Sequence, residues 1–292
     1  MTTKLILETP PAFNFKTAVY SHGWCRLLPF DLDLENWRLS YVFTGERAIP
    51  VDIYEAEGRI EIDVHDGQPG KNEQEKILRE VRHVLRFDDD LSEFYRLTKK
   101  EKRLAWVARL SGGRLLRSPT VFEDLVKTLA TTNCSWALTK IMVKNLVDKL
   151  GVESADGRRA FPTAEAMAAQ PEEFYRNEIR AGYRSPYYVE MAERVASGKL
   201  NPETWLDSDL PTRELKKEMK GVKGVGDYAA ENLLKLVGRY DGLALDSFLR
   251  GEFYKRHNGG AACDDKQISA FYEKFGHWRG LAIWCDMTEK WH

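Results

Sequence analysis

The stretch 215–250, LKKEMKGVKGVGDYAAENLLKLVGRYDGLALDSFLR, decides how the chain is read. It predicts a short helix through Met219, a turn at Gly221-Val222-Lys223-Gly224-Val225-Gly226, and a second helix from near Asp227. Three glycines in six residues permit positive φ and let the backbone come close to something outside it. The free N–H groups of the second helix point the same way and suit a phosphate. Lys216, Lys217, Lys220 and Lys223 crowd the same hairpin. Together these features describe a clamp on a phosphate backbone. The plainer alternative is a helical corner with solvated lysines. Downstream, a loop delivers a single acid, Asp246, which could serve chemistry, cap the helix that follows it, or do both.

The bulk numbers set limits around this hairpin. With 292 residues, 43% of them hydrophobic, the chain can build one large or two closely packed domains. A formal net charge of −1 rules out nucleic-acid attraction by the molecule as a whole, so any such binding rests on local basic clusters. The N-terminus has no long apolar run, so no secretion signal and no membrane span are expected. Cys25, Cys134, Cys263 and Cys285 are scattered without CxxC spacing and read as reduced thiols. The histidines show no HExxH-type pairing, and no catalytic transition metal is expected.

Before the hairpin, the pattern changes once. Residues 37–43 and 59–64 alternate as half-buried antiparallel strands do, with turn chemistry at Glu57-Gly58 and Asp66-Gly67. From Lys76 the period becomes helical, and Asp88-Asp89-Asp90 reads as a solvated helix start. Helices are expected over 163–169, 171–180, 186–197, 211–219, 227–237, 246–256, 266–275 and 278–288. The fold class is therefore α+β: an N-terminal antiparallel β-sheet layer (domain 1–105) packed on a mostly helical core (106–292), with the hairpin at about 211–237.

The pattern Met219-x-x-Val222-x-Gly224-Val225-Gly226-x-x-Ala229-Ala230, with an acid eighteen residues after Tyr228, resembles a known arrangement. It is similar to the helix-hairpin-helix, Gly/Pro-rich loop and aspartate of the base-excision DNA glycosylase superfamily. Further stretches resemble its 3-methyladenine and 8-oxoguanine branch. They are Phe13-Asn14-Phe15 leading into Ser21-His22-Gly23-Trp24, then Ala130-Thr131-Thr132-Asn133-Cys134-Ser135, then Ala181-Gly182-Tyr183-Arg184, and the tail Gly276-His277-Trp278-Arg279-Gly280-Leu281-Ala282. The similarity thus spans most of the chain in order.

The resemblance implies a part for each residue. Asp246 is the catalytic acid, Asn133 fills the hole left by an extruded base, and Tyr183 wedges beside it. Arg184, Lys220, Lys223, Gly224, Gly226 and Asp227 meet the DNA. His22, Trp24, Tyr228 and Trp278 line the base pocket. Main-chain carbonyls of Lys220, Val222 and Val225 would hold a monovalent cation, Na+ or K+. No cofactor is required, and the clustered cysteines of an iron–sulfur cluster are missing. The implied partner is double-stranded DNA containing damaged bases, met by a monomer in the cytoplasm, at the nucleoid if the source is prokaryotic. Plainer readings stay open: Tyr183, Trp278 and Trp284 as core aromatics, Asn133 as a helix C-terminal residue, Arg184 as a surface charge.

Such chemistry needs these parts. A base inside a duplex must be extruded at a cost of about a few kcal/mol, and an aromatic wedge recovers roughly 1–3 kcal/mol of stacking. Bond cleavage builds positive charge on the sugar, which a carboxylate stabilises. Family members that cleave the strand carry a Schiff-base lysine two residues after the GxG; here that residue is Tyr228, so a monofunctional, hydrolytic enzyme is expected. His22 and Ile283 stand where the 8-oxoguanine enzymes read a guanine edge with polar groups. The aromatics Trp24, Tyr228, Trp278 and Trp284 suit an alkylated, positively charged purine such as 3-methyladenine or 7-methylguanine. The alternatives are an oxidised-base glycosylase of the 8-oxoguanine type and a non-catalytic binder of damaged DNA.

Overall fold

Period-two alternation in the first 64 residues builds a five-stranded antiparallel sheet. Its strands are β1 (Thr3–Glu8), β2 (Asp31–Asp33), β3 (Arg38–Thr44), β4 (Ala48–Ala56) and β5 (Arg59–Val64), in the order β1-β5-β4-β3-β2. The structure is a computed structural model that describes residues 2–45, 47–65 and 67–292. Ile60, Ile62 and Val64, with their cross-strand neighbours Ile53 and Val51, are completely buried on one face. On the other face Glu61, Asp63 and Asp52 pair with Lys4, Arg38 and Arg158. Register is therefore pinned, because a one-residue slip would put this charged row into the core. Glu57 (φ 51°) and Gly58 (φ 76°) make the tight β4–β5 turn, since two successive positive φ values match the strand twist. Of the second expected turn, Asp66 lies outside the described residues.

The helix Lys71–Val84 lays Ile77, Val81 and Val84, all fully buried, on the apolar face of the body. The acidic run after it is more engaged than a solvated cap. Asp90 does cap, accepting from Ser92 N–H at 2.9 Å, but Asp88 and Asp89 bind the guanidinium groups of Arg82 and Arg86. The helices expected from residue 163 onward are present as Ala164–Ala168, Glu172–Asn177, Ser185–Ala196, Thr212–Lys220, Asp227–Leu236, Ser247–His257, Asp265–Tyr272 and Arg279–Thr288.

Two apolar cores organise the body. The larger joins the sheet, the Lys71–Val84 helix, the Val121–Thr131 and Trp136–Leu150 helices and the hairpin. The smaller joins residues 91–115 to residues 240–287. The boundary expected near residue 105 thus falls inside a stretch that packs with the C-terminal helices. The chain crosses from one core to the other between Val237 and Tyr240, and Asp246 follows between Leu243 and Leu249 of the smaller core. All four cysteines are free. Among the described residues no His, Cys, Asp or Glu group is arranged to hold a metal, and no helix is long and apolar enough to cross a membrane.

Candidate active site

A cleft of about 1210 Å³ opens at the seam between the two cores. Its walls come from the N-terminal segment at Tyr20, His22 and Trp24, the loop at 131–136, Tyr183, the hairpin, and the run 244–250. Residues far apart in sequence, expected to act together, therefore share one concavity.

The hairpin is anchored from below by Val222 and Val225, 1% and 4% exposed. Gly224 takes φ +90°, and a Cβ there would stand 2.5 Å from the Tyr187 ring. Only glycine permits both that backbone and that contact. The lysines differ from the sequence reading. Lys216 and Lys220 each reach Asp227 at 3.0 Å, Lys223 reaches Glu190 at 3.4 Å, and Lys217 reaches Glu214 at 2.9 Å. Asp227, in the first turn of the second helix, thus neutralises the clamp from within. Such exposed pairs are worth up to about 1 kcal/mol each and exchange readily. Of the carbonyls assigned to a cation, that of Val222 accepts Val225 N–H at 3.0 Å. Arg194 donates to the intervening Gly221 carbonyl at 3.1 Å, so a fixed positive charge already stands at this turn.

Asp246 is the N-cap of Ser247–His257, its Oδ1 accepting Leu249 N–H at 2.8 Å. The capping reading of this acid therefore holds, and the acid also lines the cleft. The cap ties one oxygen, and the Tyr228 hydroxyl is hydrogen-bonded to the same carboxylate. Tyr228 stands beside it. Burial, then the Asp246 charge, pushes the phenol up to about 12, so it stays protonated.

Asn133 sits exposed at the tip of the loop between Val121–Thr131 and Trp136–Leu150, with φ +45°. Asparagine tolerates that left-handed backbone better than most residues. Tyr183, 48% exposed, is no core aromatic, and its hydroxyl donates to Thr132 O at 3.3 Å. Arg184 is not a surface charge. It is 3% exposed, donates to Thr132 O and, at 3.1 Å, to Thr132 Oγ1, and lies 4.5 Å from the Tyr183 ring centroid. It is a strut that holds the Asn133 loop and the Tyr183 turn side by side.

The aromatic lining also departs from expectation at one position. Trp278 is buried, stacked between Phe94 and Tyr240 at 5.4 Å from each, with its N–H donated to Glu93. It belongs to the smaller core. Ile283 is fully buried in that core as well, and the neighbouring Trp284 lines the cleft, donating to Ser21 O at 2.9 Å. Trp24 is held by Asp124, which accepts its N–H at 2.7 Å and which burial pushes up to about 6. His22 lies against Trp24, 4.9 Å between centroids, with Nε2 2.5 Å from Leu116 O. The carbonyl makes Nε2 the donor, and burial pushes the imidazole down to about 4, so the ring is neutral.

The lining residues that sequence reasoning missed include Trp136, Phe248, Trp291 and Lys235. Trp136 packs on Gly23, where a Cβ would meet its ring at 2.4 Å. Phe248 and Trp291, 5.9 Å apart, continue the wall from Trp284. Lys235 did leave a signal, a lysine inside the apolar run Leu233-Leu234-Lys235-Leu236. Its side chain is 3% exposed and donates to Leu243 O at 2.9 Å.

A carboxylate, a protonated phenol, an aromatic wall and an exposed polar–aromatic pair around one cleft can hold a flat ring and stabilise positive charge beside it. No family model matches the chain. A DNA-3-methyladenine glycosylase of Bacillus subtilis (strain 168) is 23% identical over 176 residues, 59% of this chain and 57% of that protein, so the chain spans little more than half of that relative's length. A 3-methyladenine DNA glycosylase from Archaeoglobus fulgidus superposes with a TM-score of 0.77 at 20% identity, covering 99% of this chain and 98% of that one. The 8-oxoguanine glycosylase/lyase of Clostridium acetobutylicum gives 0.76 at 21% identity, covering 97% and 95%. The chain has the fold of the helix-hairpin-helix DNA glycosylases, with the N-terminal sheet and helical body that the sequence resemblance implied.

Proposed function

We propose that this protein is a monofunctional DNA glycosylase that extrudes damaged bases, alkylated ones foremost, from duplex DNA and hydrolyses their glycosidic bond. It would act as a monomer and leave an abasic site. The observation that carries the reading is the pairing of Asp246 with Tyr228 in the cleft. Asp246 Oδ2 stabilises the positive charge that develops on the sugar and orients the attacking water. The residue at the Schiff-base position is a phenol that stays protonated, and a phenol forms no imine with an aldehyde. Lys235 lies seven residues further along the same helix, about 10.5 Å of axial rise at 1.5 Å per residue, at the buried end of that face.

Binding follows from the rim. Asn133 offers hydrogen bonds to the base left behind, and Tyr183 stacks beside the gap. The hairpin N–H groups meet the phosphate backbone, with Lys220 and Lys223 exchanging their carboxylate partners for phosphates. The neutral His22 ring with Trp24, Trp284, Phe248 and Trp291 supplies a stacking wall for the extruded base. The names of the B. subtilis and A. fulgidus relatives favour alkylated bases over oxidised ones.

Duplexes carrying 3-methyladenine, 7-methylguanine or 8-oxoguanine, incubated with the protein and then treated with hot alkali, test this reading. Strand breaks at the alkylated sites only after alkali are expected. Breaks at 8-oxoguanine alone would overturn the substrate assignment. Nicking before alkali, with a borohydride-trapped adduct, would overturn the monofunctional one. Tight binding without base release on any duplex would leave a damage-binding protein.

A further inference from the structure

We propose that the Lys235 ammonium reads the far edge of the extruded base, and that it favours neutral adducts presenting a ring-nitrogen or carbonyl acceptor over bases with formal positive charge. The inference rests on the glycosylase reading above and narrows its substrate class.

The geometry begins with helix Asp227–Leu236. Tyr228, Asn232 and Lys235 fall at i, i+4 and i+7, one face of a helix, and all three line the cleft. Burial deepens along that face: Tyr228 and Asn232 are part-buried, and Lys235 is 3% exposed. A base entering past Asp246 and Tyr228 therefore meets Lys235 last. An ammonium has three donors, and Leu243 O takes one, at 2.9 Å. The others have a use only if an acceptor arrives.

The charge survives burial. Desolvation pushes the amine down to about 8, against the opposing pull of Glu231, Asp246 and Cys285 that face it. Below pH 8 it is mostly protonated. Glu231 is already committed, to Lys216 Nζ and to Ala244 N–H, both at 2.6 Å. His22, across the floor, is neutral. A cationic purine, such as one methylated at N7, would thus face a like charge at the floor, with the Asp246 carboxylate nearer the mouth. The aromatic wall attracts such a ring, but a full charge in a dry cleft acts more strongly than a ring quadrupole. A neutral adduct such as 1,N6-ethenoadenine keeps ring-nitrogen acceptors and avoids the repulsion.

The test compares excision of 7-methylguanine and 1,N6-ethenoadenine from otherwise identical duplexes under single-turnover conditions. The wild type is set beside Lys235→Gln and Lys235→Met. Glutamine keeps a donor for Leu243 O and drops the charge; methionine drops both. The ratio of 7-methylguanine to 1,N6-ethenoadenine excision should rise on the order of tenfold or more in both variants, the size of one charge acting across a few ångströms of protein. A merely structural lysine would slow both substrates alike and leave the ratio where it was. An unchanged ratio in the folded glutamine variant, with both bases still released, overturns this inference alone. Release of neither base by the wild type overturns the glycosylase reading instead.

Discussion

At the rim of the cleft Tyr183 is 48% exposed and Asn133 stands on a loop tip, whereas at the floor Trp24 and Lys235 keep 7% and 3% of their surface. Rim residues are polar or amphipathic and lose little by facing water, so they need support only from behind. Arg184 supplies it for both at once. At the floor burial strips water away, so the polar side chains are tied to partners: Trp24 to Asp124, His22 to Leu116 and Lys235 to Leu243. Asp246 sits between the two regimes, with one oxygen tied to a helix N-terminus. The contrast teaches that burial alone does not separate residues placed toward a ligand from residues that fix them, since Lys235 and Arg184 are both 3% exposed.

The sharpest way to break this contrast is Asp246→Asn. Asparagine is as good an N-cap as aspartate, so melting should not change. Base release should fall by about 10²–10³-fold, the usual loss on removing one electrostatic stabiliser, while binding to an abasic duplex persists. Full activity in a single-turnover assay would remove Asp246 from the chemistry.

Arg184→Ala tests whether the rim rests on a strut. Losing its charge-assisted bonds to Thr132 should cost about 1.5–3 kcal/mol of stability, seen as a lower denaturant midpoint, with weaker DNA binding. Because the guanidinium is not offered to a phosphate, the slope of log K against log salt should stay the same. A slope smaller by about 0.9 would make it a phosphate contact after all.

The floor has a pH signature. His22 is held near 4, well below its unfolded value of 6.5, so the folded state resists its protonation. Its contribution is intact above pH 6.5 and is lost as pH falls toward 4. Denaturant titrations of the wild type and His22→Gln should therefore converge over that window, and parallel curves would refute the neutral imidazole.

The smallest effect belongs to the hairpin. Asp227→Asn frees Lys220 and leaves Lys216 to Glu231 alone, and since exposed pairs contribute up to about 1 kcal/mol, duplex affinity should rise a few-fold at low salt. Weaker binding would mean that the carboxylate itself helps to hold the DNA.

Much of this was legible in the sequence because its signals are local. Glycines at Gly224 and Gly226, the period-two strands, the helix spans and the acid at Asp246 follow from short-range geometry, and the structure has them where the pattern put them. Asn133 and Tyr183 came from the resemblance alone, and the structure sets both at the cleft on exposed turns. The burial of Arg184 and Trp278 was not legible, because a guanidinium or an indole looks the same in sequence whether it faces solvent or fills a core. The pairing of the hairpin lysines with Asp227 and Glu190 was hidden for another reason: ion pairs depend on which helices lie adjacent.

The sequence by itself determined the elements, the hairpin, the capping acid and the absence of an amine at Tyr228, since backbone conformation and residue chemistry at one position need no distant partner. Only the tertiary structure decided which aromatics line the cleft, that Lys235 reaches its floor, and that the clamp is neutralised from within. Those outcomes turn on burial and on charges brought together across the chain, and both exist only once two cores have packed and left a seam between them.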